Sequence, residues 1–153
     1  MELPHQHLRV GRPPRALSFL VTDGGYAIAR GVLAIAIETE NLDAESEPAG
    51  VQIASAGHPL PGGRLRVGQV FACSGGASQD PDEPLQAHGW FGFHAERVEV
   101  QWTVVALRED GIEFVLEASH DDLDDDAGGT IAGVTQGRFL LSCKPRAELW
   151  SPE

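Results

Sequence analysis

The segment His120–Gly129, HDDLDDDAGG, carries the most concentrated chemistry in the chain. Asp122, Asp124 and Asp126 stand at alternate positions, the spacing of the first three ligands of a calcium loop, whose hard carboxylate oxygens suit a hard cation. The match ends there. Ala127 stands where such a loop needs glycine, and Gly133 stands where it needs a bidentate glutamate. Calcium held by Asp122, Asp124 and Asp126 would thus need ligands from elsewhere in the fold, and no other cofactor is expected. Without a metal, Asp121, Asp122, Asp124, Asp125 and Asp126 read as a solvated acidic surface.

A second concentration of chemistry lies at His88–Glu96, HGWFGFHAE. Strand alternation puts Phe91 and Phe93 on one face and His88, Trp90, Gly92 and His94 on the other. Two histidines six residues apart are about 20 Å apart at roughly 3.3 Å per residue. They cannot share a metal on a regular strand. What remains is a polar-aromatic surface of His88, Trp90, His94 and Glu96, of the kind enriched at recognition sites. If the sheet encloses a cavity, the same residues would line it.

Nucleophile motifs are missing. No Gly-x-Ser-x-Gly elbow occurs, and Cys73-Ser74-Gly75-Gly76 lacks a following helical pattern to complete one. His120 beside Asp121 does not make an acid–base pair, because adjacent residues at a strand end point apart. Cys73 and Cys143 lie 70 positions apart with no Cys-x-x-Cys pair, which excludes zinc fingers and thioredoxin-like redox motifs. Both sit in or at the end of apolar runs, FAC at 71–73 and FLLSC at 139–143, and read as buried, reduced thiols. His5 and His7 sit near the start, where they suggest at most an adventitious metal contact.

The charge distribution bears on partners. The chain has 23 acidic and 11 basic side chains, a formal charge of −12. Like charge repels nucleic-acid backbones and anionic membranes, so neither is expected as a partner. Five acidic residues fall in 38–47, three in 80–83 and nine in 109–126. If loops cluster at the ends of a β fold, these groups could merge into one negative surface. Such a surface fits a basic protein, since complementary charge speeds encounter and rejects wrong partners. No apolar run approaches the roughly 20 residues that span a bilayer. MELPHQHLRV has no cationic segment leading into an apolar one, so a cytoplasmic location is expected.

The elements that must position these residues are short and punctuated by eighteen glycines and ten prolines. Residues 1–15, with Arg9, Arg12, Arg15 and Pro13-Pro14, read as a basic, partly ordered arm, and 16–153 as a single all-β domain. ALSFLVT at 16–22 alternates, and Asp23-Gly24-Gly25 offers the positive φ of a hairpin turn. YAIARGVLAIAIETE at 26–40 is almost continuously apolar and rich in β-branched residues, which favours one long strand bent near Gly31. VQIAS at 51–55 and RLRVGQVFAC at 64–73 read as strands, the second bulged at Gly68. The pattern is clearest from 86 to 118. There QAHGWFGFH turns at 95–97 into VEVQWTVVAL, which turns at Glu109-Asp110-Gly111 into IEFVLEAS. Val98, Val100, Trp102, Val104 and Ala106 share one face, and so do Ile112, Phe114 and Leu116. GRFLLSC at 137–143 is the last strand, and AELW adds a short edge.

About eight strands and no amphipathic helix indicate an antiparallel β-sandwich or a flattened β-barrel. The leading functional expectation is a non-enzymatic acidic protein that engages a basic protein partner, of the immunity or inhibitor type. Two alternatives stand beside it. One is a small-molecule-binding or cyclase-like barrel with a cavity near Trp90, and the other is a calcium-dependent β-sandwich module.

Overall fold

The computed structural model describes residues 6–12, 16–39, 51–75, 86–90, 95–96, 98–124, 129–145 and 149. Its strands are β1 (His7–Val10), β2 (Leu17–Ala29), β3 (Val32–Thr39), β4 (Gln52–Pro59), β5 (Val70–Gly75), β6 (Gln86–Trp90), β7 (Ala95–Glu96), β8 (Val98–Arg108), β9 (Gly111–His120), β10 (Leu123–Asp124), β11 (Thr130–Ile131) and β12 (Val134–Leu141). The described residues contain no α-helix, only a 3-10 turn at Pro61–Gly63. Ten strands form one antiparallel sheet in the order β5-β8-β9-β12-β1-β2-β3-β4-β6-β7. Because β5 also lies against β6, the sheet is nearly closed into a barrel. The fold is all-β, as the alternating pattern requires.

Period-two patterning explains which side chains fill the barrel. Val98, Val100, Trp102 and Val104 of β8, Phe114, Leu116 and Ala118 of β9, and Phe139 and Leu141 of β12 are buried. Leu33, Ile35 and Ile37 of β3 and Ile53 of β4 meet them in one continuous core. Trp102 sits between Phe114 and Phe139, each ring centroid 6.4 Å away and steeply inclined. Edge-on contacts of this kind add about 0.5–1.5 kcal/mol each to the value of burial. Ala106 leaves the inward face, because a register shift between Val104 and Ala106 interrupts the alternation.

Residues 7–10 of the N-terminal arm belong to the barrel. β1 lies between β12 and β2, and its Leu8 and Val10 are fully buried. Being antiparallel to both neighbours, β1 separates two strands that run parallel to each other. Beyond its reach they meet directly: Tyr26 donates its N–H to the Ser142 carbonyl and accepts from the Lys144 N–H.

Several local readings of the sequence need correction. Asp23-Gly24-Gly25 is no turn but the middle of β2. A Cβ at Gly24 would stand 2.7 Å from the Ala36 carbonyl oxygen, and one at Gly25 would stand 2.9 Å from the Lys144 side chain. These glycines permit close approach. The 26–40 segment is not one bent strand but a hairpin, β2 to β3, turning at Arg30-Gly31 with φ of 54° and 76°. Positive φ at both central residues is the primed geometry that suits strand twist, and Arg30 obscures it by standing where asparagine or glycine is usual. β5 begins only at Val70, and Gly68 (φ 91°) belongs to the turn before it. The 51–55 strand extends to Pro59. The segment from Gln86 folds back between Trp90 and Ala95, since Gly89 pairs with Glu96 and Trp90 with Ala95. Of AELW, only Leu149 lies within the described residues.

A non-glycine residue in the left-handed region costs about 1–2 kcal/mol, and asparagine tolerates it better than arginine. Arg30→Asn should therefore raise the unfolding free energy by up to about 1 kcal/mol. Urea denaturation would show this as a higher midpoint at unchanged slope, and an unchanged midpoint would contradict the hairpin assignment.

Candidate functional site

Two polar groups are buried with complete partners. Inside the barrel, a bulge in the β3–β4 ladder between Leu33 and Ile35, with Gly57 at φ 82°, breaks the alternation of β4. Ser55 and His58, three positions apart, thereby come to the same inner face. Trp102 donates its indole N–H to Ser55 Oγ at 2.8 Å, and Ser55 Oγ stands 2.7 Å from His58 Nε2. Ser55 donating to a neutral imidazole satisfies the indole N–H, the hydroxyl and His58 Nε2, and puts the ring proton on Nδ1. Burial lowers the His58 pKa to about 4, and Phe71 packs edge-on against its ring at 5.7 Å. Cys73, also buried, has its thiol pKa raised by burial to about 11 and is no thiolate nucleophile.

The second group lies on the outer face. Glu113 is wholly inaccessible, yet its carboxylate is fully engaged. Arg108 directs Nε (3.0 Å) and Nη2 (2.9 Å) to Glu113 Oε2, and Arg138 Nε bonds Oε1. Next to it, Arg9 donates to Gln136 Oε1 at 2.8 Å.

Strand direction then sorts the connections. Alternation around the barrel brings Thr39 at the end of β3, Gly75 at the end of β5 and His120 at the end of β9 to one end of the molecule. Gly75, Val98 and His120 stand in one row of the sheet. Glu40 to Glu47, between β3 and β4, and Asp121 to Asp126, after β9, belong to connections that leave this end and return to it. The connection carrying 80–83 instead runs from Gly75 at this end to Gln86, which pairs with Ala56 well down β4. The remainder of the 109–126 group does not join them. Glu109 and Asp110 lie at the opposite end, Glu113 is buried, and Glu117 is on the outer face of β9.

The sequence-derived candidates are placed as follows. Asp121 and Asp122 are exposed at the acidic end. The Asp121 carbonyl accepts from His120 Nδ1 at 2.9 Å, while Thr135 Oγ1 supplies the proton for His120 Nε2 at 2.8 Å. Asp122 Oδ1 accepts the Gly133 N–H at 2.7 Å. Gly133 is fixed by geometry, because a Cβ there would overlap the His120 carbonyl oxygen. No glutamate ligand could occupy that position in this fold. Asp124 pairs with Thr130 across β10 and β11. Asp125 and Asp126 lie outside the described residues, as does His94. His88 is in register with Ala54, and Trp90 with Gln52. Glu96 pairs with Gly89. The described residues hold no group of three metal-ligating side chains.

Sequence reasoning missed Ser55, His58 and Glu113. A histidine three residues after a serine, with glycine between them, is the only local trace of the first pair. A lone glutamate in an apolar strand gave no sign that two distant arginines would cover it.

Two concavities open on the outside of the barrel. One, about 350 Å³, runs along the outer faces of β8, β9 and β12 and is lined by Glu99, Gln101, Glu117, Ser119 and Gln136. The other, about 510 Å³, lies at the end opposite the acidic connections, between Tyr26 and Ile28 on one side and Leu107 to Ile112 on the other. No family model, curated protein or solved structure matches the chain.

The His58 environment makes stability depend on pH. Its pKa is depressed on folding, so its stabilising contribution is complete above about 6.5 and is lost as pH falls towards 4. The loss is on the order of 3 kcal/mol. The stability advantage of the wild type over His58→Gln should shrink across that interval in denaturation curves. A constant difference would show that His58 is not held neutral.

Proposed function

We propose that the chain is a non-enzymatic binding protein whose acidic end docks a basic protein partner. The observation that carries this reading is topological: two connections rich in carboxylates, 40–51 and 121–129, begin and end at the same end of the barrel, and a third, 76–85, starts there. Between Thr39 and Val51, and again between Gly75 and Gln86, the sequence contains no lysine or arginine. Arg12 is exposed at the same end, beside the turn where Gly11 bonds Val134, and is too little to balance them. Charges of one sign gathered on one end raise the rate of encounter with an opposite charge far more than charges spread evenly.

The interior supports docking over the carrier alternative. Trp102, Phe114 and Phe139 occupy the middle of the barrel, and the polar groups among them are satisfied by one another. A basic partner would be met by surface carboxylates that need no rearrangement of this core. Asp122 has a structural role as well, and asparagine at that position keeps its acceptor oxygen for the Gly133 N–H.

The test is kinetic. A partner captured at low salt should associate at least about tenfold more slowly when salt rises from about 0.01 M to about 0.15 M, with dissociation changing less. Replacing Asp122, Asp124, Asp125 and Asp126 together by asparagine should reproduce the high-salt rate and leave thermal stability nearly unchanged. A flat salt response removes the acidic docking reading. Loss of binding on Trp90→Ala with no response to salt would favour the ligand-binding barrel.

A further inference from the structure

The end of the barrel opposite the acidic connections has a different composition. Of six large apolar side chains exposed on the described surface, four lie at or beside the strand ends there: Ile28 (36%), Val32 (38%), Val67 (62%) and Leu107 (52%). Apolar exposure gathered in one region marks a surface that another molecule covers. Ile28 and Leu107 face each other across the groove of about 510 Å³.

The charges around this groove are of both signs and unspent. Arg64 lines it together with Glu109 and Asp110, and Arg30 and Arg66 stand nearby on the adjoining turns. None of these five side chains makes an ion pair within the chain, whereas Arg108 is committed to Glu113 and Lys144 to Asp23. The edge of β2 is also open here. Tyr26 sends its N–H and C=O to Ser142 and Lys144, so strand alternation points those of Ile28 towards the same edge. No described residue takes them up.

We infer that this end is the interface of a twofold homodimer, its occupant a second copy of the same chain. A partly apolar groove whose rim carries unpaired charges of both signs can be complementary to itself under a twofold axis. Arg64 of each copy meets Glu109 and Asp110 of the other while Ile28 and Leu107 stack at the centre. An acidic peptide would face Glu109 and Asp110, and a basic one would face Arg64, so neither satisfies both signs of charge. Electrostatics at longer range agree. At a net charge of −12, two copies joined through this end hold their acidic ends pointing away from each other, the arrangement of least repulsion. The inference is independent of the docking proposal, because it concerns the other end of the barrel.

Sedimentation velocity of the full chain, from micromolar to millimolar, tests it. The wild type should shift from monomer to dimer across this range. Leu107→Asp, at an exposed position, should weaken dimerisation at least tenfold without altering the thermal melt. Arg64→Glu alone and a Glu109→Arg, Asp110→Arg double variant alone should each remain monomeric, and an equimolar mixture of the two should restore the dimer. A wild type that stays monomeric at millimolar concentration overturns the inference. A dimer that survives Leu107→Asp, or a mixture that fails to reassociate, places any self-association elsewhere and overturns it as well.

Discussion

Much of this barrel depends on one donor that cannot be left alone. Trp102 is the largest side chain in the core, and its indole carries an N–H with no capacity to accept. A buried donor without a partner would cost about 1–3 kcal/mol, comparable to what burial of the ring itself contributes. The acceptor comes from the far side of the barrel, Ser55 on β4, so the bond ties the β8 half of the sheet to the β3–β4 half. Ser55 in turn engages His58, and only the bulge at Gly57 brings both to the same face. A packing requirement in one strand has thus fixed a backbone irregularity in another.

The sequence carried the β8, β9 and β12 part of this fold well, because alternation there is clean and Glu109-Asp110-Gly111 marks its turn in the usual residues. It misled where a glycine had a purpose other than turning. Gly24 and Gly25 make room for neighbouring chain, a requirement set by Ala36 on the next strand for the first and by Lys144 and Ser142, more than a hundred positions away, for the second. The true hairpin opens with Arg30, whose side chain gives no hint of positive φ. The strand from Gln86 was read too long, since no single residue between Trp90 and Ala95 announces the reversal. Of the candidate site, the acidic groups were legible as composition, and only strand direction showed which of them share an end. Glu113 was counted among them and proved to be a buried structural ion.

Burial of Glu113 shows how charge is managed on this barrel. Removing a carboxylate from water costs several kcal/mol, and it is tolerated here because two guanidiniums saturate both oxygens. The same arginines are thereby committed to one carboxylate, although Arg108 is itself still exposed. The connections that begin at one end are rich in carboxylates in sequence, while unpaired charges of both signs line a partly apolar groove at the other. A barrel suits such a division, because alternating strand direction sends successive connections to opposite ends, and composition can differ between them without disturbing the wall.

The position of β1 has a consequence for the order of events as the chain folds. Its two neighbours are β2, reached within a few residues, and β12, whose Gln136 is 127 positions from Arg9. Hairpins such as β2–β3 and β8–β9 are local and can form in microseconds, but the wall between β12 and β2 closes only after almost the whole sequence is present. Until then Leu8 and Val10 have half a site, and the edges of β1 and β9 that β12 will cover stay unpaired. A ribosome-bound intermediate would carry both edges exposed, which makes the interval before closure the period when this protein is most open to aggregation.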